Sequence, residues 1–97
     1  MPLNSNRSIV ISDDLLRYLV TATEPEVKVV LALLREASKL SSTDSVEISL
    51  GQLVILTRLS RSAVVAGIDR AETNNRLIVD RDGYVNRYKV VMDGSGE

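Results

Sequence analysis

The chain contains 97 residues, of which 44% are hydrophobic and 26% are charged, a balance typical of one soluble globular domain. It has neither Cys nor His, which excludes disulfides, thiol nucleophiles, imidazole bases and the usual zinc ligands. We therefore expect no enzymatic activity, no cofactor and no metal. Its apolar runs are much shorter than the roughly 20 residues that cross a bilayer, and its first residues lack a signal-peptide pattern, so we expect a cytoplasmic location without membrane attachment.

The formal net charge of −1 is unevenly distributed along the chain. Residues 1–50 carry five basic and seven acidic side chains, residues 51–89 carry seven basic and four acidic ones, and residues 90–97 add two acids. Phosphate attraction depends on the charge within about one Debye length, ~8–10 Å, so a basic segment in a near-neutral protein is compatible with a nucleic-acid partner. Arginines that only solvate one face explain the composition equally well.

Two helices are predicted in the first half of the chain. Ser12 is a helix cap followed by two acids, and apolar residues then recur at helical spacing. Thr23 and Glu26 have the spacing of a capping box, and Pro25 is tolerated in a first turn. An apolar stripe continues from there to about Leu40, which predicts a scaffold helix. The polar stretch 41–45 is predicted to be a loop.

A short strand and two closely spaced helices are predicted next. Residues 46–48 alternate apolar and polar side chains, and Ser49 and Ser60 are cap candidates only eleven residues apart, so two helices must meet at a tight turn. Asn74-Asn75 is a plausible helix end. Gly67 is expected to permit close packing against a neighbouring helix. The second helix is predicted to bury Val64, Ile68 and Ala71 and to expose Arg61, Ser62, Val65, Ala66, Asp69, Arg70 and Thr73.

A β-hairpin is predicted after these helices. Leu77-Ile78-Val79 is apolar and β-rich, Asp82-Gly83 is a strong two-residue turn signal, and residues 84–92 supply the returning strand. Such a turn pairs Arg81 with Tyr84, Val79 with Asn86 and Leu77 with Tyr88, and it places Leu77, Val79, Tyr88 and Val90 on one face, expected to be core. The domain is predicted to span residues 1–92, and residues 93–97 are expected to be a disordered tail.

This pattern resembles the winged helix-turn-helix domains of bacterial transcriptional regulators and of plasmid, phage and primosomal replication-initiation proteins. The residues that carry the resemblance are Ile48-Ser49-Leu50-Gly51-Gln52-Leu53, Leu59-Ser60-Arg61-Ser62-Ala63-Val64, Leu77-Ile78 and Asn86-Arg87-Tyr88. Residues 26–31 are similar to the scaffold helix of the replication-initiation group. The resemblance covers roughly residues 10–91. It implies a mainly α fold with a small β-hairpin (α+β), in the order α-α-β-α-α-β-β.

Two positions depart from the pattern of these domains. Arg58 stands where the turn between the two helices often has Gly, and Asn75-Arg76 replaces the single Gly that commonly precedes the first wing strand. Compared with the domains that the chain resembles, these departures predict a looser turn between the two helices and a slightly longer second helix.

In such domains the second helix of the pair, here about residues 61–74, enters the major groove with its N-terminal residues nearest the bases. The resemblance implies that Arg61 grips a guanine, that Val65 touches a thymine methyl group and that the N–H groups near Ser60 bind a phosphate. Asp80 and Asp82 flank Arg81, so we expect the wing to contribute less than the helix. The DNA-contacting residues expected from the resemblance are Ser60, Arg61, Ser62, Val65, Ala66, Arg70, Arg58, Arg81, Arg87 and Lys89.

The resulting hypothesis is a sequence-specific double-stranded DNA-binding protein that acts in transcription regulation or replication initiation. We expect a homodimer formed through Ile9, Val10, Ile11, Leu15, Leu16 and Leu19, because this segment is more apolar than a small monomer needs. The alternative is a winged helix used for protein docking, in which the basic face meets an acidic protein partner without direct DNA binding.

Overall fold

The computed structural model describes residues 11–40 and 45–92. The elements in chain order are α1 (Asp13–Thr21), α2 (Glu24–Lys39), β1 (Val46–Glu47), α3 (Leu50–Thr57), α4 (Arg61–Thr73), β2 (Leu77–Asp80) and β3 (Arg87–Val90). The three strands form one antiparallel sheet in the order β1-β3-β2, so the predicted α+β class is confirmed. Most of the predicted loop 41–45 and the whole predicted tail 93–97 lie outside the described residues. No helix in the described ranges combines the length and apolar character needed to cross a membrane.

The predicted helix starts are confirmed at four positions. The hydroxyls of Ser12, Ser49 and Ser60 accept hydrogen bonds from backbone N–H groups in the first turns of α1, α3 and α4, at 3.0–3.2 Å. The capping box of α2 is present, with the backbone N–H of Thr23 donating to the Glu26 carboxylate at 2.9 Å. Each cap satisfies an N–H group that the helix itself leaves unbonded, so these local signals fix where the helices begin.

The core lies between α2, α4 and the inner face of the sheet. Gly67 lies where α4 crosses the start of α2, and a Cβ added there would lie 2.8 Å from the carbonyl carbon and oxygen of Pro25. The prediction that Gly67 permits close helix packing is therefore confirmed. The buried apolar side chains are Leu15, Val29, Val30, Leu33, Leu34, Ala37, Val46, Ile48, Leu53, Val64, Ile68, Ala71, Leu77 and Tyr88.

The predicted register of the hairpin is wrong by two residues. Leu77 pairs with Val90 and Val79 with Tyr88, so residues 81–86 form a six-residue loop in place of the two-residue turn at Asp82-Gly83. No glycine in the described ranges has a positive φ, whereas a type I′ turn needs one at Gly83. Asp80 instead accepts a hydrogen bond from the backbone N–H of Asp82 at 3.0 Å, which bends the chain earlier.

The prediction of which face of the hairpin packs against the core is nevertheless confirmed. Because side chains alternate with a period of two along a strand, a shift of two residues leaves every side chain on its original face. Leu77 and Tyr88 are 2% and 1% exposed, and Val79 and Val90 pack beside them while remaining partly exposed.

Candidate nucleic-acid interface

The turn between α3 and α4 is three residues long and is held by a buried threonine. The Thr57 hydroxyl donates to the carbonyl oxygen of Leu53 at 2.7 Å and accepts from the N–H of Leu59 at 3.3 Å. Arg58 adopts the left-handed conformation, φ 61°, and its N–H donates to the carbonyl oxygen of Val54 at 2.9 Å. These bonds fix the direction in which α4 leaves α3, and the turn is tight although it lacks the usual glycine.

The first two turns of α4 expose the side chains that the sequence predicts. Arg61, Ser62, Val65 and Ala66 are all exposed, with Val65 at 41%, whereas the opposite side of the helix packs into the core. Residues 61 and 65, like residues 62 and 66, are four positions apart, so the four side chains cover one continuous area of the helix. This area combines one cation, one hydroxyl and two small apolar groups.

The N-terminus of α4 adds polar groups to the same area. The first N–H groups of a helix have no partner within the helix and carry the positive end of its dipole. Ser60 caps the N–H of Ala63, and the Ser60 and Ser62 hydroxyls lie 3.3 Å apart. Arg58 and Arg61 flank this end, and neither forms an ion pair with any residue in the described ranges. We call Arg58, Ser60, Arg61, Ser62, Val65 and Ala66 the α4 patch.

The structure does not bring Arg81 to the α4 patch. Arg81 binds Glu72 through both terminal nitrogens of its guanidinium, at 3.1 and 3.0 Å, and these bonds lower the pKa of the Glu72 carboxyl. Glu72 lies eleven residues after Arg61, which corresponds to about 16 Å along a helix. Arg81 is therefore held beside the last turn of α4, with its charge neutralised by a carboxylate.

Arg87 and Lys89 lie on the outer face of β3, in different surroundings. Arg87 pairs in register with Glu47 on β1 and with Asp80 on β2, and its Nε atom lies 3.9 Å from the Glu47 carboxylate. Lys89 lies opposite Ile78 and forms no ion pair among the described residues. Of the two strand cations, Lys89 is therefore the one whose charge is not offset by a facing acid.

Arg70 is directed towards a buried carboxylate, a contact that the sequence does not reveal. Glu26 is 1% exposed and accepts hydrogen bonds from the Tyr18 hydroxyl at 2.6 Å, from Thr23 and from the Asn74 amide at 3.1 Å, while Arg70 Nε lies at 3.4 Å. Burial alone would raise the pKa of this carboxyl, but the hydrogen bonds outweigh it and lower the pKa of Glu26 to about 2. Glu26 therefore joins α1, α2 and the end of α4.

Arg76 extends this network, so its guanidinium is not part of the exposed α4 patch. Its guanidinium lies over the Tyr18 ring, 5.3 Å from the centroid, and its buried Nη1 atom has no hydrogen-bond partner within residues 11–40 and 45–92. Burial and the bond to Glu26 both raise the pKa of the Tyr18 hydroxyl. Only a weak signal for the network exists in the sequence, because its members Tyr18 and Arg76 are 58 residues apart.

One exposed aromatic side chain was not among the predicted contacts. Tyr84 is fully exposed in the loop 81–86, where the predicted register had placed it in a strand opposite Arg81. Tyr84 lies outside the strands because six residues, not two, connect β2 and β3.

The residues predicted to form a dimer are separated by the fold. Leu15 is completely buried in the core, so it does not contribute to a surface, and Leu19 is partly buried. Leu16 is 47% exposed, and Val20, which was not among the predicted residues, is 83% exposed one turn later. Ile9 and Val10 lie outside the described residues. The apolar surface of α1 is therefore centred on Leu16 and Val20.

No protein-family model, no curated protein and no solved structure matches the chain. The case for a function therefore rests on the geometry of the α4 patch and its surroundings.

Proposed function

We propose that the protein is a sequence-specific double-stranded DNA-binding protein with a winged helix-turn-helix fold, in which α3 and α4 form the helix-turn-helix and β2 and β3 form the wing. The observation that carries this proposal is the α4 patch. It places Arg58 and Arg61, which form no ion pair in the described part of the chain, and a capped helix N-terminus at the exposed end of a helix whose direction is fixed by a hydrogen-bonded turn. We propose that the protein acts in transcription regulation or replication initiation.

In this proposal the helix end and the helix face have different tasks. The N-terminus of α4 and the Ser62 hydroxyl bind a phosphate, and Arg58 binds a neighbouring one, which sets the position of the protein on the duplex. Arg61 donates two hydrogen bonds to a guanine, and Val65 contacts a thymine methyl group. Each well-placed base contact of this kind is worth roughly 1–3 kcal/mol of discrimination.

The wing contributes less, for an electrostatic reason. A phosphate that binds Arg81 must compete with the bidentate Glu72 carboxylate, and one that binds Arg87 approaches Glu47 and Asp80. Lys89 is the wing cation that remains available. Arg61 is assigned to a base, so Arg58 and Lys89 give about two phosphate contacts per chain, and hence a slope of log affinity against log salt of about −2 on a single half-site.

The experiment is selection of bound duplexes from a random pool, followed by anisotropy titrations on the enriched sequence at several salt concentrations. Arg61→Ala is expected to weaken binding and relax the selected sequence at one position, whereas Lys39→Ala, on α2, is expected to change neither. On a duplex with a single half-site, a slope near −4 or steeper would show that the internally paired arginines also contact DNA. If no motif is enriched and binding does not depend on salt, the proposal fails, and a stable complex between the same face and an acidic protein becomes the better explanation.

A further inference from the structure

A groove runs between α2 and α3, outside the α4 patch. Its volume is about 280 Å³, and it is lined by Lys28, Leu31, Ala32, Arg35, Leu56 and Thr57. The buried Thr57 hydroxyl is already bonded to α3 and to the turn, so the surface that the groove offers is apolar with basic ends. We call it the α2–α3 groove.

The two cations lie at a spacing that a helix can match. Lys28, Leu31 and Arg35 follow one another at intervals of three and four residues, so they share one face of α2, and the two cations are about 10 Å apart along the helix axis. Leu31 is 46% exposed between them. Lys28 lies 3.1 Å from the exposed carboxylate of Glu24, whereas Arg35 has no ion pair among the described residues.

The shape and chemistry of the groove restrict its occupant. Sites for small organic ligands usually enclose most of the ligand in a closed cleft, whereas this groove lies open to solvent between two helices, which disfavours that class. A DNA backbone would place phosphates against the apolar floor formed by Leu31, Ala32 and Leu56, which offers no donor. A ligand with one or two apolar side chains between two carboxylates matches both the apolar floor and the basic ends of the groove.

We propose that the α2–α3 groove docks an acidic amphipathic helix of a partner protein. Two carboxylates seven residues apart on that helix face Lys28 and Arg35, and a leucine-sized side chain between them lies on Leu31 and Leu56. This surface is separate from the α4 patch, so the proposal does not depend on DNA binding.

The test uses a synthetic helical peptide of roughly 16 residues, with two Glu residues seven positions apart and Leu between them, labelled for anisotropy and titrated with the full chain. Two control peptides replace both Glu by Gln or the Leu by Ala. Arg35→Glu is expected to weaken binding at least ~10-fold, and Leu31→Glu to do the same. Lys39→Glu makes the same charge change on α2 outside the groove and is expected to weaken binding less than ~2-fold. All three positions are exposed, so unchanged thermal unfolding verifies that the variants fold.

Three results would each overturn the proposal. The first is that the peptide binds no better than its Gln control. The second is that Arg35→Glu weakens duplex binding as much as Arg61→Ala does, which would make the groove part of the DNA-binding surface. The third is that Leu31→Glu converts a dimer into a monomer, which would make a second copy of the chain the occupant of the groove. Loss of DNA binding in Arg61→Ala with peptide binding retained supports two separate surfaces. A chain that binds the peptide but no DNA would refute the proposed function and leave the groove assignment standing.

Discussion

Glu26 contributes more to the free energy of unfolding than an acid in a first helical turn usually does. The carboxylate is 1% exposed and accepts bonds from α1, from its own helix and from the end of α4. We expect Glu26→Gln to lower the free energy of unfolding by roughly 3 kcal/mol, because buried donors lose a charged partner. Urea denaturation at pH 7 measures this. Glu24→Gln, an exposed acid two residues earlier, should change stability by less than ~0.5 kcal/mol; equal losses would contradict the argument.

The same residue gives the stability a defined pH dependence. The pKa of Glu26 is lowered from 4.5 to about 2 in the folded chain, so folding favours the ionised form. Its contribution is therefore complete above pH 4.5 and is lost as the pH falls from 4.5 towards 2. The stability difference between the wild type and Glu26→Gln should shrink across this interval, and a constant difference would show that Glu26 is not the group responsible.

Arg58 holds a conformation that a glycine would adopt with less strain. Its φ of 61° costs a residue with a Cβ about 1 kcal/mol. We expect Arg58→Gly to raise the free energy of unfolding by about 0.5 kcal/mol, since the greater entropy of unfolded glycine offsets part of the relief. The variant should also bind DNA more weakly, with a salt slope shallower by about one. If Arg58→Gly is more stable but binds DNA as tightly as the wild type, Arg58 does not contact DNA in the way proposed.

Asn75 is the matched control for this prediction, because it has a similar φ of 60° and lies at the end of α4 away from the patch. Asparagine tolerates the left-handed region better than arginine, so Asn75→Gly should change stability by less, and the DNA affinity should not change.

Two glycines with opposite surroundings test how the helices pack. At Gly67 a Cβ would lie 2.8 Å from the backbone of Pro25, so Gly67→Ala must move α2 away from α4 and should lower the free energy of unfolding by roughly 2–3 kcal/mol. At Gly51 on α3 the nearest atom is 4.0 Å away, so Gly51→Ala should raise stability by up to about 1 kcal/mol. Thermal unfolding of both variants measures the difference, and two stabilised variants would mean that the α2–α4 contact tolerates a methyl group.

The parts of the fold that local sequence determines could be predicted, and those that depend on distant contacts could not. Ser12, Ser49 and Ser60 mark helix starts because a cap acts within three residues. The hairpin register differs because Asp80 bends the chain before Asp82-Gly83 and because β3 also pairs with β1, a contact between elements far apart in the sequence. For the same reason the exposed face of α4 was predicted from periodicity, whereas the pairing of Arg70 with Glu26 was not.

At the scale of the whole molecule, the basic excess of residues 51–89 is mostly used internally. Arg70, Arg81 and Arg87 face carboxylates, and Arg76 lies over an aromatic ring. About three cations per chain remain for a nucleic acid, and the two assigned to phosphates, Arg58 and Lys89, are fewer than the 6–10 phosphate contacts that give DNA-binding proteins their steep salt dependence. Two chains on adjacent half-sites would double that number, so we expect that, if the protein acts as proposed, it binds DNA as a dimer.

We expect this dimer to form through α1, where Leu16 and Val20 are exposed on one face of the helix, one turn apart. Val20→Glu should convert a sedimenting dimer into a monomer without loss of stability, because the side chain is 83% exposed. The variant should bind a single half-site normally and lose affinity for two half-sites about 34 Å apart, since only the dimer engages both. Leu40→Glu, an exposed apolar position at the end of α2, should leave the sedimentation unchanged. A wild-type chain that is monomeric at micromolar concentration and binds both DNAs equally would refute the dimer.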